Sequence, residues 1–144
     1  MEFHPAPFHA PLRAFAVLAF GWKEGQVLVC DIKDRGWCVP SGRVEPGESS
    51  MDAARREAME EGGAEFDSLH YIGCYKIIDR RDERWVDCFV GRITALVDLI
   101  EGGEAKERRL VDVGELRSLY HLWNPLTELV FRHAVEVLGR NERA

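Results

Sequence analysis

Three glutamates, Glu57, Glu60 and Glu61, lie within five consecutive residues near the end of a segment with helical signals. At 100° per residue they fall within an arc of roughly 100° on one face. Like charges three or four residues apart destabilise a helix by a few tenths of a kcal/mol per pair. The helix macrodipole also disfavours anions near the C-terminal end. The cluster is therefore unfavourable for a bare helix.

A bound divalent cation would reverse this repulsion. Mg²⁺ prefers oxygen ligands, and two or three carboxylates with water or substrate phosphate satisfy that preference. The alternative is a solvated acidic face whose charge Arg55 and Arg56 offset; Arg56 stands one turn before Glu60 and could pair with it or with Glu48. The glutamates taken alone leave both interpretations open.

The spacing of the surrounding residues favours the metal site. From Gly42 to Ala64 the chain resembles the Nudix box, G-x5-E-x7-R-E-U-x-E-E-x-G-U, where U is a bulky aliphatic residue. All seven fixed positions are present: Gly42, Glu48, Arg56, Glu57, Glu60, Glu61 and Gly63. Ala58 and Ala64 occupy the U positions and are smaller than usual.

The resemblance implies hydrolysis of a diphosphate bond in a nucleoside diphosphate linked to another group, X, with one to three Mg²⁺ or Mn²⁺ ions. It implies Glu57 and Glu61 as the main metal ligands and Glu60 as a further ligand or a holder of metal-bound water. The backbone carbonyl of Ser41 often joins them in the family. Glu48 and Arg56 are expected to order the loop and the helix.

The general base differs between branches of the family. It is either a box glutamate or a carboxylate from a distant loop. Glu104 and Glu107, in the polar segment "EGGEAKERR", are the distal candidates; each could equally be a solvated loop residue.

The group X is left open by the sequence. Signatures of ADP-ribose, dinucleoside polyphosphate, coenzyme A and NADH pyrophosphatases are absent. The remaining candidates are nucleoside di- or triphosphates (oxidised ones included), nucleotide sugars and an RNA 5′ end. Asn124 resembles a base-reading asparagine but also suits a helix N-cap. Arg81 and Arg84, with Trp85, could bind phosphate and stack on a base, or form a charged hairpin tip.

Two other functions share the fold. A regulatory Nudix module without turnover usually loses box glutamates, and this chain keeps them all. An isomerase of the isopentenyl diphosphate type uses a catalytic cysteine and metal-binding histidines, and only Cys38, just ahead of the box, supports that reading.

The whole chain has 144 residues and a net charge of −6. We expect one domain, residues 1–144, in the cytoplasm, with no membrane contact and no nucleic-acid binding beyond an RNA 5′ end. A homodimer is plausible for the family. The cysteines lack C-x-x-C spacing and are expected to be buried and reduced: Cys30, Cys38, Cys74 and Cys88.

The order of elements predicts an α/β fold. Residues 1–11, with three prolines, read as an extended or loosely packed arm. The pattern predicts strands over 12–20, 26–32, 67–79 and 83–97, a helix over 50–62, and a closing helix from Pro125 to a stop at Gly139. The resemblance implies an α/β/α sandwich with a mixed sheet between helices.

Overall fold

The computed structural model describes residues 1–143 and consists of a mixed sheet with helices on both of its faces. The strands are β1 (Glu2–Pro5), β2 (Ala16–Lys23), β3 (Gln26–Ile32), β4 (Gly36–Cys38), β5 (Ser41–Arg43), β6 (Ala64–Asp79), β7 (Asp82–Leu96) and β8 (Ala105–Val111). The helices are α1 (Ser50–Gly62), the short α2 (Leu116–Leu119), which follows a 3₁₀ turn at Val113–Glu115, and α3 (Pro125–Arg143).

The strands follow the order β1-β6-β7-β2-β3-β4, with β5 added to β2 and β8 added to β3. β2 and β7 run parallel over Ala16–Trp22, and the other pairs are antiparallel. β2 is the central strand for the site, because its start pairs with β5 on one side and with β7 on the other.

Two hydrophobic clusters cover the two faces of the sheet. One packs α3, through Val130, Phe131 and Ala134, against strand residues such as Phe20 and Val29. The other packs α1 against the opposite face through Ala53, Ala54, Ala58, Val17, Leu28 and Phe89. A sheet buried between helices on both sides is the α/β/α arrangement that the family resemblance implied.

The box helix α1 has the predicted bounds because its ends carry strong signals. Ser49 accepts a hydrogen bond from the Asp52 N–H at 3.1 Å and caps the N-terminus. Gly63 has φ of 61° and ends the helix in the left-handed conformation that glycine favours. α1 lies close to the sheet: Ala53, Ala54 and Ala58 are fully buried, and a Cβ on Gly62 would stand 2.7 Å from a Leu28 methyl carbon.

Four sequence predictions need correction. The strand predicted over 12–20 lies at Ala16–Lys23, because its pairing with β5 and β7 begins at Ala16. The N-terminal arm is not loose: β1 pairs with β6 from Glu2 to Pro5. Much of the polar segment "EGGEAKERR" is not a loop, because β8 begins at Ala105 and pairs with β3. The closing helix does not stop at Gly139 and continues to Arg143. In each case a long-range contact or a neighbouring helical turn outweighed the local apolar, proline, charge or glycine signal.

All four cysteines are free and buried, as predicted. No helix among residues 1–143 is long and apolar enough to cross a lipid bilayer.

Candidate functional site

The short strand β5 and the C-terminal half of α1 form the centre of the site. The Ser41 N–H donates a hydrogen bond to Glu61 Oε1 at 2.8 Å. The Glu57 carboxylate packs directly on Gly42: a Cβ at that glycine would stand 2.2 Å from Glu57 Cδ. Glycine at position 42 therefore provides the space in which the Glu57 carboxylate lies beside the strand.

Both central carboxylates are buried. Glu57 is 9% exposed and Glu61 is 6% exposed. Burial raises the pKa of Glu61 to about 7, and the negative charges of Glu57 and Glu104 add to this effect. Burial also raises the pKa of Glu57, with Arg56 opposing the shift. The two side chains are thus poorly compensated anions, held side by side away from water.

Arg56 connects the helix to the box loop. Its Nε and Nη2 atoms donate to the two oxygens of Glu48 at 2.8 and 3.0 Å, a bidentate pair. Its Nη1 donates to Glu57 at 2.7 Å and to Glu60 at 3.3 Å, and Nη2 also donates to the Arg43 carbonyl at 3.0 Å. This pairing with Arg56 lowers the pKa of Glu48 to about 2.

The donor set fits a hard divalent cation. Glu57, Glu60 and Glu61 offer only oxygen atoms, and the buried pair lacks sufficient positive charge. Within residues 1–143, however, no three acidic, histidine or cysteine side chains already stand together as a ligand cluster. Glu57 is turned towards Arg56, and the Glu60 side chain is 49% exposed. Binding a metal would therefore require the Glu57 or Glu60 carboxylate to reorient.

The two distal carboxylates lie in different surroundings. Glu104 lies in the loop just before β8, and its charge raises the pKa of both Glu57 and Glu61. Glu107 lies within β8 opposite Asp31, and its Oε1 atom is 3.5 Å from Arg109 Nε. The structure therefore brings Glu104, and not Glu107, into electrostatic contact with the box glutamates.

The predicted substrate-binding residues are dispersed. Asn124 Oδ1 accepts the Thr127 N–H at 2.8 Å, which is the N-cap hydrogen bond of α3. Arg81 is exposed at the β6–β7 turn, whereas the guanidinium of Arg84 lies over the ring of Phe15. Trp85 is only 4% exposed, so its ring is not available to stack on a base.

Two arginines outside the box also belong to the site and were missed. Arg35 Nη1 donates to Ser41 Oγ at 2.8 Å, and its positive charge opposes the raised pKa of Glu61. Arg13 Nη2 donates to the carbonyls of Glu45 and Glu48 at 2.5 and 2.8 Å. The one sequence feature that could have pointed to Arg35 is a basic residue between a strand and the box in an acidic chain. Arg13 lies 32 residues before Glu45, and no sequence feature links it to the box.

Comparison with known proteins places these features in a family. A family model described as the NUDIX domain matches residues 10–134. A Bacillus subtilis protein named putative 8-oxo-dGTP diphosphatase YtkD is 38% identical over 81 residues, covering 56% of this chain and 49% of that protein. A second Bacillus subtilis putative 8-oxo-dGTP diphosphatase is 37% identical over 92 residues, covering 63% and 60%. The matches thus span less than two thirds of these relatives.

Solved structures share the fold over nearly the whole chain. A mutant of the Bacillus subtilis pyrophosphohydrolase BsRppH superposes with a TM-score of 0.79 at 23% identity, covering 94% of this chain and 90% of the other. The NUDIX domain of Shewanella oneidensis NrtR, in complex with ADP ribose, gives a TM-score of 0.68 at 16% identity and covers 92% of each chain. At these identities the likeness extends to the fold.

Proposed function

Because this chain belongs to the Nudix family, we propose that it hydrolyses a diphosphate bond in a nucleoside di- or triphosphate or a nucleoside diphosphate derivative, with Mg²⁺ or Mn²⁺ as cofactor. The predicted family and its fold are confirmed by the match over residues 10–134 and by the structural neighbours. The reaction, the metal and the substrate are the proposal.

The observation that carries the proposal is the buried pair Glu57 and Glu61. Two carboxylates that are nearly excluded from water, and whose pKa values stay raised although Arg56 pairs with Glu57 and Arg35 lies near Glu61, destabilise a fold. Such an arrangement is typical of a functional site, where a ligand supplies the missing charge. Here the missing charge is positive, and the ligand atoms are oxygens.

The chain's own residues have separable roles in this proposal. Glu57, Glu61 and the Ser41 carbonyl would hold the metal, with Glu60 as a further ligand. The bound cation would neutralise charge on the diphosphate and lower the pKa of the attacking water. Glu48 fixes Arg56, which orients the helix relative to the loop. Arg35 donates to Ser41 Oγ and so places its positive charge near Glu61.

We assign the general base to Glu104 in preference to Glu107. Glu104 is the distal carboxylate whose charge is felt by both buried glutamates. Glu107 is paired with Arg109 on β8 instead. A carboxylate in the loop before β8 can approach a water molecule at the site while staying outside the ligand set.

Relatives' names support a purine nucleoside triphosphate, oxidised forms included, as the first substrate class to test. Two relatives above 35% identity are named putative 8-oxo-dGTP diphosphatases. An isomerase mechanism is disfavoured, because Cys38 is 3% exposed and burial raises the pKa of its thiol, so neither access nor a reactive thiolate is provided.

The test is a hydrolysis screen with Mg²⁺ and with Mn²⁺ in which the products are separated by chromatography, because cleavage of a diphosphate bond yields pyrophosphate or two phosphorylated fragments as well as inorganic phosphate, depending on the substrate. Substrates are nucleoside triphosphates including 8-oxo-dGTP, ADP-ribose, nucleotide sugars, dinucleoside polyphosphates and triphosphorylated RNA. We expect metal-dependent hydrolysis of at least one nucleotide, abolished by EDTA and reduced at least about 10³-fold in Glu57→Gln and Glu61→Gln.

The matched control is Glu65→Gln, which makes the same chemical change at an exposed position on β6. It should keep wild-type turnover. Normal turnover by both box variants would refute the assignment, and the absence of hydrolysis of every substrate would favour a regulatory module.

A further inference from the structure

The C-terminal end of the box helix α1 is held by an arginine from a distant strand. Arg108 Nη1 donates a hydrogen bond to the Gly62 carbonyl at 2.9 Å, and the same nitrogen donates to the Val97 carbonyl. Gly62 is the last residue of α1, and Val97 directly follows β7. Because Arg108 itself belongs to β8, one guanidinium group joins the helix to the ends of two strands.

The backbone of Val97 completes this junction. Its N–H donates to the carbonyl of Gly63, the residue that ends α1, at 2.8 Å. A Cβ on Gly63 would collide with the Val97 carbonyl oxygen and with Arg108 Nη1. The absence of a side chain at Gly63 therefore lets the guanidinium group reach the end of the helix.

The last turn of α1 has no positive charge of its own. It contains Glu60 and Glu61 and no basic residue. The carbonyl groups at the end of a helix lack intrahelical partners, and the macrodipole there favours a cation. Arg108 supplies both the missing hydrogen-bond donor and the missing positive charge.

Arg108 lies on the side of the sheet that carries α1. It pairs with Cys30 on β3, and Cys30 belongs to the cluster that packs against α1. The next residue, Arg109, pairs with Val29, which belongs to the cluster that packs against α3. Successive residues of a strand point to opposite faces. Of these two arginines, only Arg108 is directed at the box helix.

The segment that holds the helix also carries the distal carboxylate. Glu104 directly precedes β8, and its carbonyl accepts the Lys33 N–H at 2.8 Å. The charge of Glu104 raises the pKa of the buried Glu61, although burial itself is the larger cause. The two carboxylates therefore interact across the junction. Arg108 joins the segments on which they lie.

We propose that Arg108 is a positioning residue for the metal site, which holds the last turn of α1, with Glu60 and Glu61, in place against β8 and Glu104. This inference rests on the proposed function. A guanidinium group has donors but no acceptor, so Arg108 is not itself a metal ligand and acts through the backbone carbonyls. A purely electrostatic role would have the opposite effect, because a positive charge near a cation site weakens metal binding.

Binding of Mn²⁺, followed by the electron paramagnetic resonance signal of the free ion, tests the proposal. We expect Arg108→Met, which keeps an apolar stem and removes the donors, to weaken Mn²⁺ binding about tenfold, as for residues that orient metal ligands. Arg108→Lys should recover part of the affinity, because an ammonium group can still donate to a carbonyl. A residue that serves only the stability of the fold would leave the affinity of folded molecules unchanged.

Urea unfolding in EDTA identifies the conditions in which each variant is folded, and Mn²⁺ binding is compared under those conditions. If Arg108→Met does not fold, Arg108→Lys decides the test, because it keeps the charge and alters only the geometry of the donors. We then expect it to bind Mn²⁺ several-fold more weakly than the wild type. Affinity equal to that of the wild type would overturn the proposal.

Arg109→Met is the matched control. It removes the same charge from the next residue of β8, on the opposite face, where the guanidinium group lies over the Trp37 ring. It should bind Mn²⁺ like the wild type. Unchanged or tighter Mn²⁺ binding in Arg108→Met, equal weakening in Arg109→Met, or absence of Mn²⁺ binding by the wild type would overturn the proposal.

Steady-state kinetics separate this proposal from the proposed function. At saturating metal we expect Arg108→Met to lower kcat about tenfold with KM for the nucleotide changed much less, since the residue acts on the position of the carboxylates. Nucleotide hydrolysis with unaltered Mn²⁺ affinity and kcat in this variant would refute the positioning role and leave the reaction standing. Mn²⁺ binding that depends on Arg108, without hydrolysis of any nucleotide, would refute the reaction and leave the positioning role standing.

Discussion

Glu61 is an acid in surroundings that oppose its ionised form. It is 6% exposed, and burial raises its pKa from 4.5 to about 7. As the pH rises, the unfolded chain releases this proton before the folded chain does. The folded state thus binds more protons between these two values, and the free energy of unfolding falls as the pH increases through that window.

We predict that Glu61→Gln stabilises the metal-free protein at pH 8. The amide can still accept the Ser41 N–H but has no charge to bury. The gain should be on the order of 2 kcal/mol at pH 8 and should approach zero at about pH 3.5, where the carboxyl is mostly protonated in both the folded and the unfolded wild type. Urea unfolding in EDTA at the two pH values measures this difference.

The exposed substitution Glu65→Gln serves as the control and should show no comparable pH-dependent gain. A destabilising effect of Glu61→Gln at pH 8 would contradict the prediction, because it would mean that the folded state stabilises the ionised carboxylate of Glu61.

Gly42 provides the second residue-scale prediction. In Gly42→Ala the new Cβ would stand 2.2 Å from Glu57 Cδ and must displace that carboxylate. Because the end of a glutamate side chain can move, we expect the free energy of unfolding to change by only about 1 kcal/mol. Turnover should fall about 10²-fold, since a displacement of roughly 1 Å in a reacting group costs that much. Urea unfolding and metal-dependent nucleotide hydrolysis measure the two effects.

Gly114→Ala is the comparison variant, because a Cβ there meets no atom within 4 Å. It should retain activity. Equal activity in the two alanine variants would show that the position of Glu57 against β5 is not required.

The site residues differ in how far sequence alone could identify them. The box residues were predictable because their spacing along one loop and one helix fixes their relative positions. Arg13 and Arg35 were not, because each reaches the box through a side chain whose direction depends on strand pairing. Glu107 was predicted as readily as Glu104, since a polar loop was expected where β8 begins.

Among the elements, the box loop depends on an anchor outside its own sequence. Arg13 Nη2 donates to the carbonyls of Glu45 and Glu48, the two ends of the Pro46–Gly47 turn. Those carbonyls belong to the segment that places Glu48 against Arg56. The residue therefore acts by holding the loop, and its positive charge also contributes to the lowered pKa of Glu48.

We predict that Arg13→Gln loosens this loop without unfolding the protein. Amide hydrogen exchange over residues 44–49 should become about tenfold faster, which corresponds to the loss of one hydrogen bond from a charged group. Exchange within α3 serves as the internal control and should be unchanged. Uniform acceleration in both segments would mean that Arg13 supports global stability, and no acceleration in either would mean that it does not hold the loop.

Element boundaries were predicted best where local chemistry decides them. The bounds of α1 follow from Ser49 and Gly63, and those of β3 from its apolar run. The positions of β1 and β8 depend on pairing with β6 and β3, which are distant in sequence. Local composition suggested an arm and a loop there, since prolines and charges disfavour strands unless pairing compensates for them.

For the whole molecule, the metal should act as a stabilising ligand. A cation that binds only the folded state raises the free energy of unfolding by about 2.7 kcal/mol when its free concentration is one hundred times its dissociation constant. We therefore predict that saturating Mg²⁺ raises the Tm at pH 8 by roughly 5–10 °C. Calorimetric or fluorescence melting with and without Mg²⁺ measures the shift.

Na⁺ at the same ionic strength is the control for general screening of the net charge of −6. Glu57→Gln combined with Glu61→Gln should remove the Mg²⁺ effect. A shift that persists in this double variant would locate the stabilising cation elsewhere.

The ends of the sheet have a consequence for how copies of this chain meet at high concentration. The terminal strands β1 and β4 have four and three residues, and β1 contains Pro5. The longer β8 pairs with β3 alone among the described strands, and its run Lys106–Arg109 is fully charged. Short, proline-containing or charged edges are poor templates for fibrils and for domain swapping. We therefore do not expect copies of this chain to pair strand to strand at β1, β4 or β8.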